Sequence, residues 1–131
     1  MLKFPKITKI DGGAAAVESD ALPLSNYKNL GFLFENKAGA KLQVKVSASR
    51  DGGDLVPINF YLKKEGDADF VEIEQDGKEI TDAGAFLAVV NDRMLAHDEY
   101  DSVAVSLETD ASEVGTVYAI QDAPRYSEGD E

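Results

Sequence analysis

Apolar and polar residues alternate with a period of two through most of this chain. From Lys41 to Ser49, Leu42, Val44, Val46 and Ala48 fall on one side and Lys41, Gln43, Lys45, Ser47 and Ser49 on the other. That alternation predicts a strand with one buried face. Ser102–Asp110 repeats it, with Val103, Val105 and Leu107 inward and Ser106 and Glu108 outward. Leu30–Glu35 sets Leu30, Phe32 and Phe34 on one face but carries Leu33 on the other. Val114–Ile120 is apolar on both faces, which predicts a central strand. In Leu55–Leu62, Val56, Ile58, Phe60 and Leu62 share a face. Pro57 lies on the opposite face and cannot donate to a ladder, so this strand is expected at an edge or with a bulge.

Turn chemistry falls between these runs. Asp51-Gly52-Gly53 separates two strands, and Lys37-Ala38-Gly39-Ala40 makes a looser connection. Asp76-Gly77, between Phe70–Glu74 and Lys78–Thr81, predicts a two-residue hairpin, because a type I′ turn needs positive φ at both central positions. Asp11–Asp20 contains Gly12-Gly13 and Ala14-Ala15-Ala16 and reads as loop or extended chain. One short helix is expected near 91–97, with Asn91 or Asp92 as N-cap and Met94 and Leu95 turned inward. Short strands at this spacing predict an all-β fold, an antiparallel β-sandwich or partly open barrel of Greek-key or jelly-roll type. Its parts are an N-terminal arm or first strand with a Gly/Ala loop (1–20), a single β domain (21–126) and an acidic disordered tail (127–131).

The 131 residues, 14.1 kDa, fit one domain. With no cysteine, thiolate chemistry and disulfides are excluded, and one histidine cannot build a multi-histidine metal site within one chain. Thirteen Lys+Arg against 25 Asp+Glu give a net charge of −12 and a pI near 4.4. That field opposes nucleic-acid binding and adsorption to anionic lipid, so neither partner is expected. The first ten residues carry Lys3, Lys6 and Lys9 and no signal-length apolar run, and no stretch is long enough for a membrane-spanning helix. A cytoplasmic origin is the expectation.

Motifs for catalysis are missing. There is no Gly-x-Gly-x-x-Gly, no phosphate-binding P-loop and no Gly-x-Ser-x-Gly elbow. His97, beside Asp98 and Glu99, could serve as a general base or ligand, but a surface histidine in a turn is the expected reading. Asp51, Asp54, Asp98, Glu99 and Asp101 offer oxygen ligands for calcium, or simply form solvated acidic loops. Asp67-Ala68-Asp69 begins like an EF-hand loop and then fails, with Val71 at a ligand position and Glu72 where glycine is required. Tyr27, Tyr61 and Tyr126 are the candidates for sugar stacking in a chain without tryptophan. No catalytic, cofactor or metal residue is assigned. Tyr100, five residues after Leu95 and just before an alternating strand, predicts a tyrosine corner, its hydroxyl bonded to backbone a few residues upstream.

Asn29-Leu30-Gly31-Phe32, the Lys41–Ser49 strand ending in Ser49-Arg50-Asp51-Gly52-Gly53, Leu95…Tyr100-Asp101-x-Val103, and Tyr118-Ala119-Ile120…Arg125-Tyr126 together resemble small β-rich virion proteins of tailed bacteriophages. The resemblance spans residues 28–126 and rests on strands and turns. It implies a structural role in the virion, capsid decoration above all, with the major capsid protein or other virion proteins as partners. It also implies a homo-oligomer, a trimer by preference, assembled in the host cytoplasm. Within that reading Leu2, Lys3, Phe4, Pro5, Lys6 and Ile7 are the partner-binding candidates. They form a basic, apolar arm suited to adding a strand to a neighbour's sheet edge, unless the segment is the domain's own first strand. The alternative is a soluble β-sandwich binding module for carbohydrate or a protein partner. An enzyme has the least to build on.

Overall fold

A computed structural model describes residues 5–24, 27–96 and 98–124. The tail 127–131, His97 and the arm residues Leu2, Lys3 and Phe4 lie outside the described residues. The strands are β1 (Lys6–Ile10), β2 (Ala16–Glu18), β3 (Leu22–Pro23), β4 (Tyr27–Asn36), β5 (Leu42–Ser49) and β6 (Val56–Ile58). They continue as β7 (Phe60–Lys64), β8 (Val71–Ile73), β9 (Lys78–Ile80) and β10 (Gly84–Asn91). A one-turn helix α1 (Asp92–Ala96) precedes β11 (Ser102–Thr109) and β12 (Val117–Pro124).

These strands form two antiparallel sheets, a β-sandwich. Sheet I has the order β1-β12-β4-β10-β7-β8. Sheet II has the order β2-β11-β5-β6, with β3 also on β11 and β9 also on β5. Alternation decides which side of each strand is buried. Leu30, Phe32 and Phe34 of β4 meet Val44 and Val46 of β5 and Val103, Val105 and Leu107 of β11 in one core, all at most 1% exposed. Phe34 stacks on Phe86, ring centroids 6.0 Å apart. The buried amide of Asn36 ends β4: its Nδ2 donates to Ala40 O (3.0 Å), Ile80 O (3.4 Å) and Asp82 O (3.0 Å). Buried carbonyls outside a ladder need such a donor.

Several expectations change. Of the two alternatives for the N-terminal segment, the described residues take the first strand and not the arm, and 6–20 belong to the same domain as the rest: β1 lies in sheet I against β12, and β2 lies in sheet II against β11. The Gly-Gly loop between them fits only glycine, since a Cβ at Gly12 would run into the carbonyl oxygens of Val114 and Gly115. The single strand expected over Leu55–Leu62 is two. β6 is the outermost strand of sheet II, where Pro57 opposite Ser47 sits at an edge as its missing N–H requires. After Asn59 the chain crosses to sheet I as β7.

The hairpin expected at Asp76-Gly77 does not form. β8 pairs with β7 and β9 with β5, so the turn carries the chain from one sheet to the other. Gly77 has φ +88° and its N–H bonds Glu74 O at 2.9 Å, but Asp76 stays at ordinary negative φ, so the turn is not type I′. The two consecutive positive φ values belong to Asp51 (+51°) and Gly52 (+74°), closed by Gly53 N–H to Arg50 O at 2.8 Å. The strand expected over Val114–Ile120 begins at Val117 and is central, between β1 and β4.

Candidate interaction surface

Directly paired residues on neighbouring strands point to the same side of a sheet. Applied to sheet I, the register writes out its solvent face row by row. One row crosses β1, β12, β4, β10 and β7 as Lys9, Tyr118, Leu33, Leu87 and Lys63. The next reads Ile7, Ile120, Gly31, Val89 and Tyr61. Glu35 and Ala85 lie beyond the first row, Asp122, Asn29 and Asn91 beyond the second. Eight or so apolar or aromatic side chains therefore share one water-facing surface, with charges only around it.

Ile7 is 64% exposed, and Leu33 and Tyr118 also stand well clear of the fold. Phe70, just before β8, is 43% exposed and lies over this face, with Lys63 Nζ 5.6 Å from its ring centroid. On one side of Phe70 is a groove of about 320 Å³ bordered by Gly31, Leu87, Val89 and Ile120. On the other is one of about 570 Å³ bordered by Leu33, Lys63, Ala85 and Leu87. Gly31 keeps the floor of the first low: a Cβ there would come within 3.1 Å of Leu87 Cδ1. Contiguous exposed apolar surface of this kind marks a binding face more often than chance. The sequence signal was present, as Leu33 on the wrong face of β4 and β12 apolar on both faces, but it read equally as a strand buried on both sides.

At the edge of this sheet, β1 pairs with β12 and with no other described strand. Of the six arm candidates, Pro5, Lys6 and Ile7 fall within the described residues, and Lys6 and Ile7 begin this edge strand. An edge strand offers unpaired backbone groups to a neighbour.

The pair Leu95 and Tyr100 belongs to a different device from the one expected. Asn91 caps α1, its Oδ1 accepting from Met94 N–H at 3.0 Å. At the other end Glu99 takes the left-handed conformation (φ +59°). Its N–H bonds Ala96 O (3.1 Å), and Tyr100 N–H bonds Leu95 O (3.0 Å). That is a Schellman motif, in which two backbone N–H groups satisfy the last helical carbonyls. Leu95 is fully buried and the Tyr100 ring packs on the core. The Tyr100 hydroxyl makes no hydrogen bond among the described residues, so the tyrosine corner is corrected to a helix C-cap. A groove of about 550 Å³ beside it is bordered by Leu24, Arg93, Tyr100 and Asp101.

The acidic residues do not converge. Among the described residues no group of three or more His, Cys, Asp or Glu side chains is placed to hold a metal ion. Asp101 Oδ2 accepts from Asp51 N–H at 3.1 Å, and Glu99 lies 3.7 Å from Arg50, so two of the calcium candidates brace the 50–53 turn instead. Of the tyrosines, Tyr27 is buried and Tyr61 stands half-buried on the outer face of sheet I; Tyr126 lies outside the described residues. No helix among the described residues is long and apolar enough to cross a membrane.

No family model matches the chain. No curated protein sequence is similar to it either. Among solved structures, the fold is that of the SPBc2 prophage-derived protein YomS, with a TM-score of 0.60 and 13% identity over 92% of this chain and 96% of that one. RmlC from Streptococcus suis, solved with dTDP-D-xylose, aligns over 96% of this chain and 46% of its own at 11% identity, but with a TM-score of only 0.34. A family 35 carbohydrate-binding module from Clostridium thermocellum gives 0.25 at 10% identity over 89% and 98% of the chains. The first defines the class, a two-sheet antiparallel sandwich shared with a prophage-derived protein.

Proposed function

We propose that this chain is a structural protein of a phage particle, and that it decorates the assembled head by binding the major capsid protein. The observation that carries the reading is the fold shared with a prophage-derived protein over nearly the whole of both chains. The sequence resemblance to small virion proteins points the same way. The edge of β1 that pairs with no other described strand, with Lys6, the exposed Ile7 and, earlier in the sequence, Leu2, Lys3 and Phe4, supplies a docking element. It would extend a neighbour's sheet by backbone hydrogen bonds while its lysines meet acidic capsid surface. A protein that binds only the assembled lattice stabilises that lattice by its binding free energy, and needs no active site to do so.

Co-sedimentation of the purified chain with assembled heads, and separately with tails, tests the proposal. Stoichiometric binding to heads, lost in a Lys3→Glu/Lys6→Glu variant that melts like the parent, is the expected result. Binding to tails alone removes decoration and leaves a tail role. Binding to neither overturns the virion reading.

A further inference from the structure

The outer face of sheet I has a charge pattern as well as an apolar centre. Its two lysines stand at opposite lateral margins of one row: Lys9 on β1 and Lys63 on β7. Four strand spacings separate them, about 19 Å. Two of its acids stand at opposite ends along the strands, Glu35 beyond the Leu33 row and Asp122 beyond the Ile120 row, and a third, Glu72 of β8, stands beside Tyr61. Three steps of two residues separate Glu35 from Asp122, about 20 Å. The two lysines thus lie left and right, and Glu35 and Asp122 above and below, around Leu33, Gly31, Leu87 and Val89 in the middle.

We infer that this face pairs with the same face of a second copy, the two sheets stacked with their strands crossing near a right angle. A two-fold axis in the plane between them, at 45° to the strands, exchanges the lateral margins of one copy with the strand-end margins of the other. Lys63 then lies above Glu35 of the second copy and Lys9 beside its Asp122, and the reverse, while the apolar centres meet. Orthogonal packing is one of the two standard ways for sheets to stack, and a two-fold interface must be complementary to itself. A parallel stack would set Lys9 over Lys63 and is disfavoured. With Glu72 beside Tyr61 the face carries two bases and three acids, close to balance on a chain of net −12, so like-charge repulsion between two copies is low here.

Lys63 Nζ lies over the ring of Phe70, on this same face, 5.6 Å from its centroid. Lys9 Nζ lies 3.9 Å from Asp11 in open solvent, a pair that water screens. Glu72, at the same margin as Lys63, is turned to Asn59 Nδ2 at 3.2 Å. In extent, six strands across and four rows along give about 600 Å² per copy, about 1,200 Å² in all, which clears the size of a specific interface. Phe70, exposed in one copy, is covered in the pair. The trimer implied by the sequence resemblance would need another surface.

The pairing stands apart from the phage reading: a dimer that ignores phage particles leaves it intact, and a monomer that coats heads removes it alone. Sedimentation equilibrium of the full chain should give twice 14.1 kDa. Leu33→Glu should return the mass to 14.1 kDa with an unchanged circular dichroism spectrum and a cooperative melt. Charge reversal tests the pattern. Lys9→Glu/Lys63→Glu puts acids at all four of these positions, and Glu35→Lys/Asp122→Lys puts bases at all four. Each should be monomeric, and an equimolar mixture should form only mixed dimers. A monomer at every concentration for the parent overturns the inference. So does a dimer indifferent to Leu33→Glu, or a pair of charge variants that dimerise separately as well as together.

Discussion

Outside sheet II, Gln43, Lys45 and Ser47 of β5 stand beside Glu108, Ser106 and Ala104 of β11 respectively, with Glu18 of β2 and Glu79 of β9 at the margins. Outside sheet I, the same positions in the weave are held by Leu33, Leu87, Val89, Ile120 and Tyr118. Both sheets have an equally apolar inner face and share one core. The core therefore does not explain the difference. A polar outer face keeps a sheet in water at no cost, whereas an apolar one leaves hydrophobic area exposed, at roughly 25 cal/mol per Å². Keeping it makes sense when another surface covers it. The comparison teaches that the two sheets have different jobs: sheet II closes the core, and sheet I closes the core and presents a face.

The largest effect separates the two sides of a single strand. Phe32→Ala, on the inner side of β4 and 1% exposed, should cost about 3–5 kcal/mol in denaturant unfolding. Leu33→Glu, the next residue and outward, should change the stability of the isolated monomer by less than about 1 kcal/mol. Equal losses would mean that the outer face is core, and the contrast between the sheets would fall. Asn36→Ala sits between these: it strands the carbonyls of Ala40, Ile80 and Asp82, and an unfolding midpoint shift worth about 2–3 kcal/mol is expected. Smaller again, Ser106→Ala and Lys45→Ala outside sheet II should each stay within about 0.5 kcal/mol and leave the solution mass unchanged. A change of mass there would shift the association surface to the other sheet. Smallest is Tyr100→Phe, expected within about 0.5 kcal/mol because the Schellman bonds are made by backbone. A loss above 1 kcal/mol in the melt would restore a structural role to the hydroxyl.

Much of the fold was legible along the chain. Leu42, Val44 and Val46 against Gln43 and Lys45 announce β5, and the β11 alternation is as clear. Asn91 as N-cap and Leu95 as the buried residue of α1 were readable because capping needs only a few consecutive residues. The Leu95–Tyr100 link was visible as a spacing and misread as a hydroxyl bond, because a left-handed non-glycine residue such as Glu99 gives no composition signal. The Asp-Gly turns divided in the same way: Asp76-Gly77 carried the hairpin signal, yet it is Asp51-Gly52, marked only as a break between strands, that takes two positive φ values.

By itself, then, the sequence determined an all-β sandwich, the inner face of each long strand, the helix at Asp92–Ala96 and an acidic surface. These are local or additive properties: period-two alternation, turn and capping chemistry, and a count of charges. Tertiary structure alone decided that the chain changes sheets at Asn59 and again between Ile73 and Lys78, and that β1 closes an edge of sheet I. It also decided that the second apolar side of β4 and β12 faces water. Pairing joins residues far apart in sequence, such as Ile7 with Ile120 and Leu33 with Tyr118, and no pattern within one strand records which strand will lie beside it or what will cover its far side.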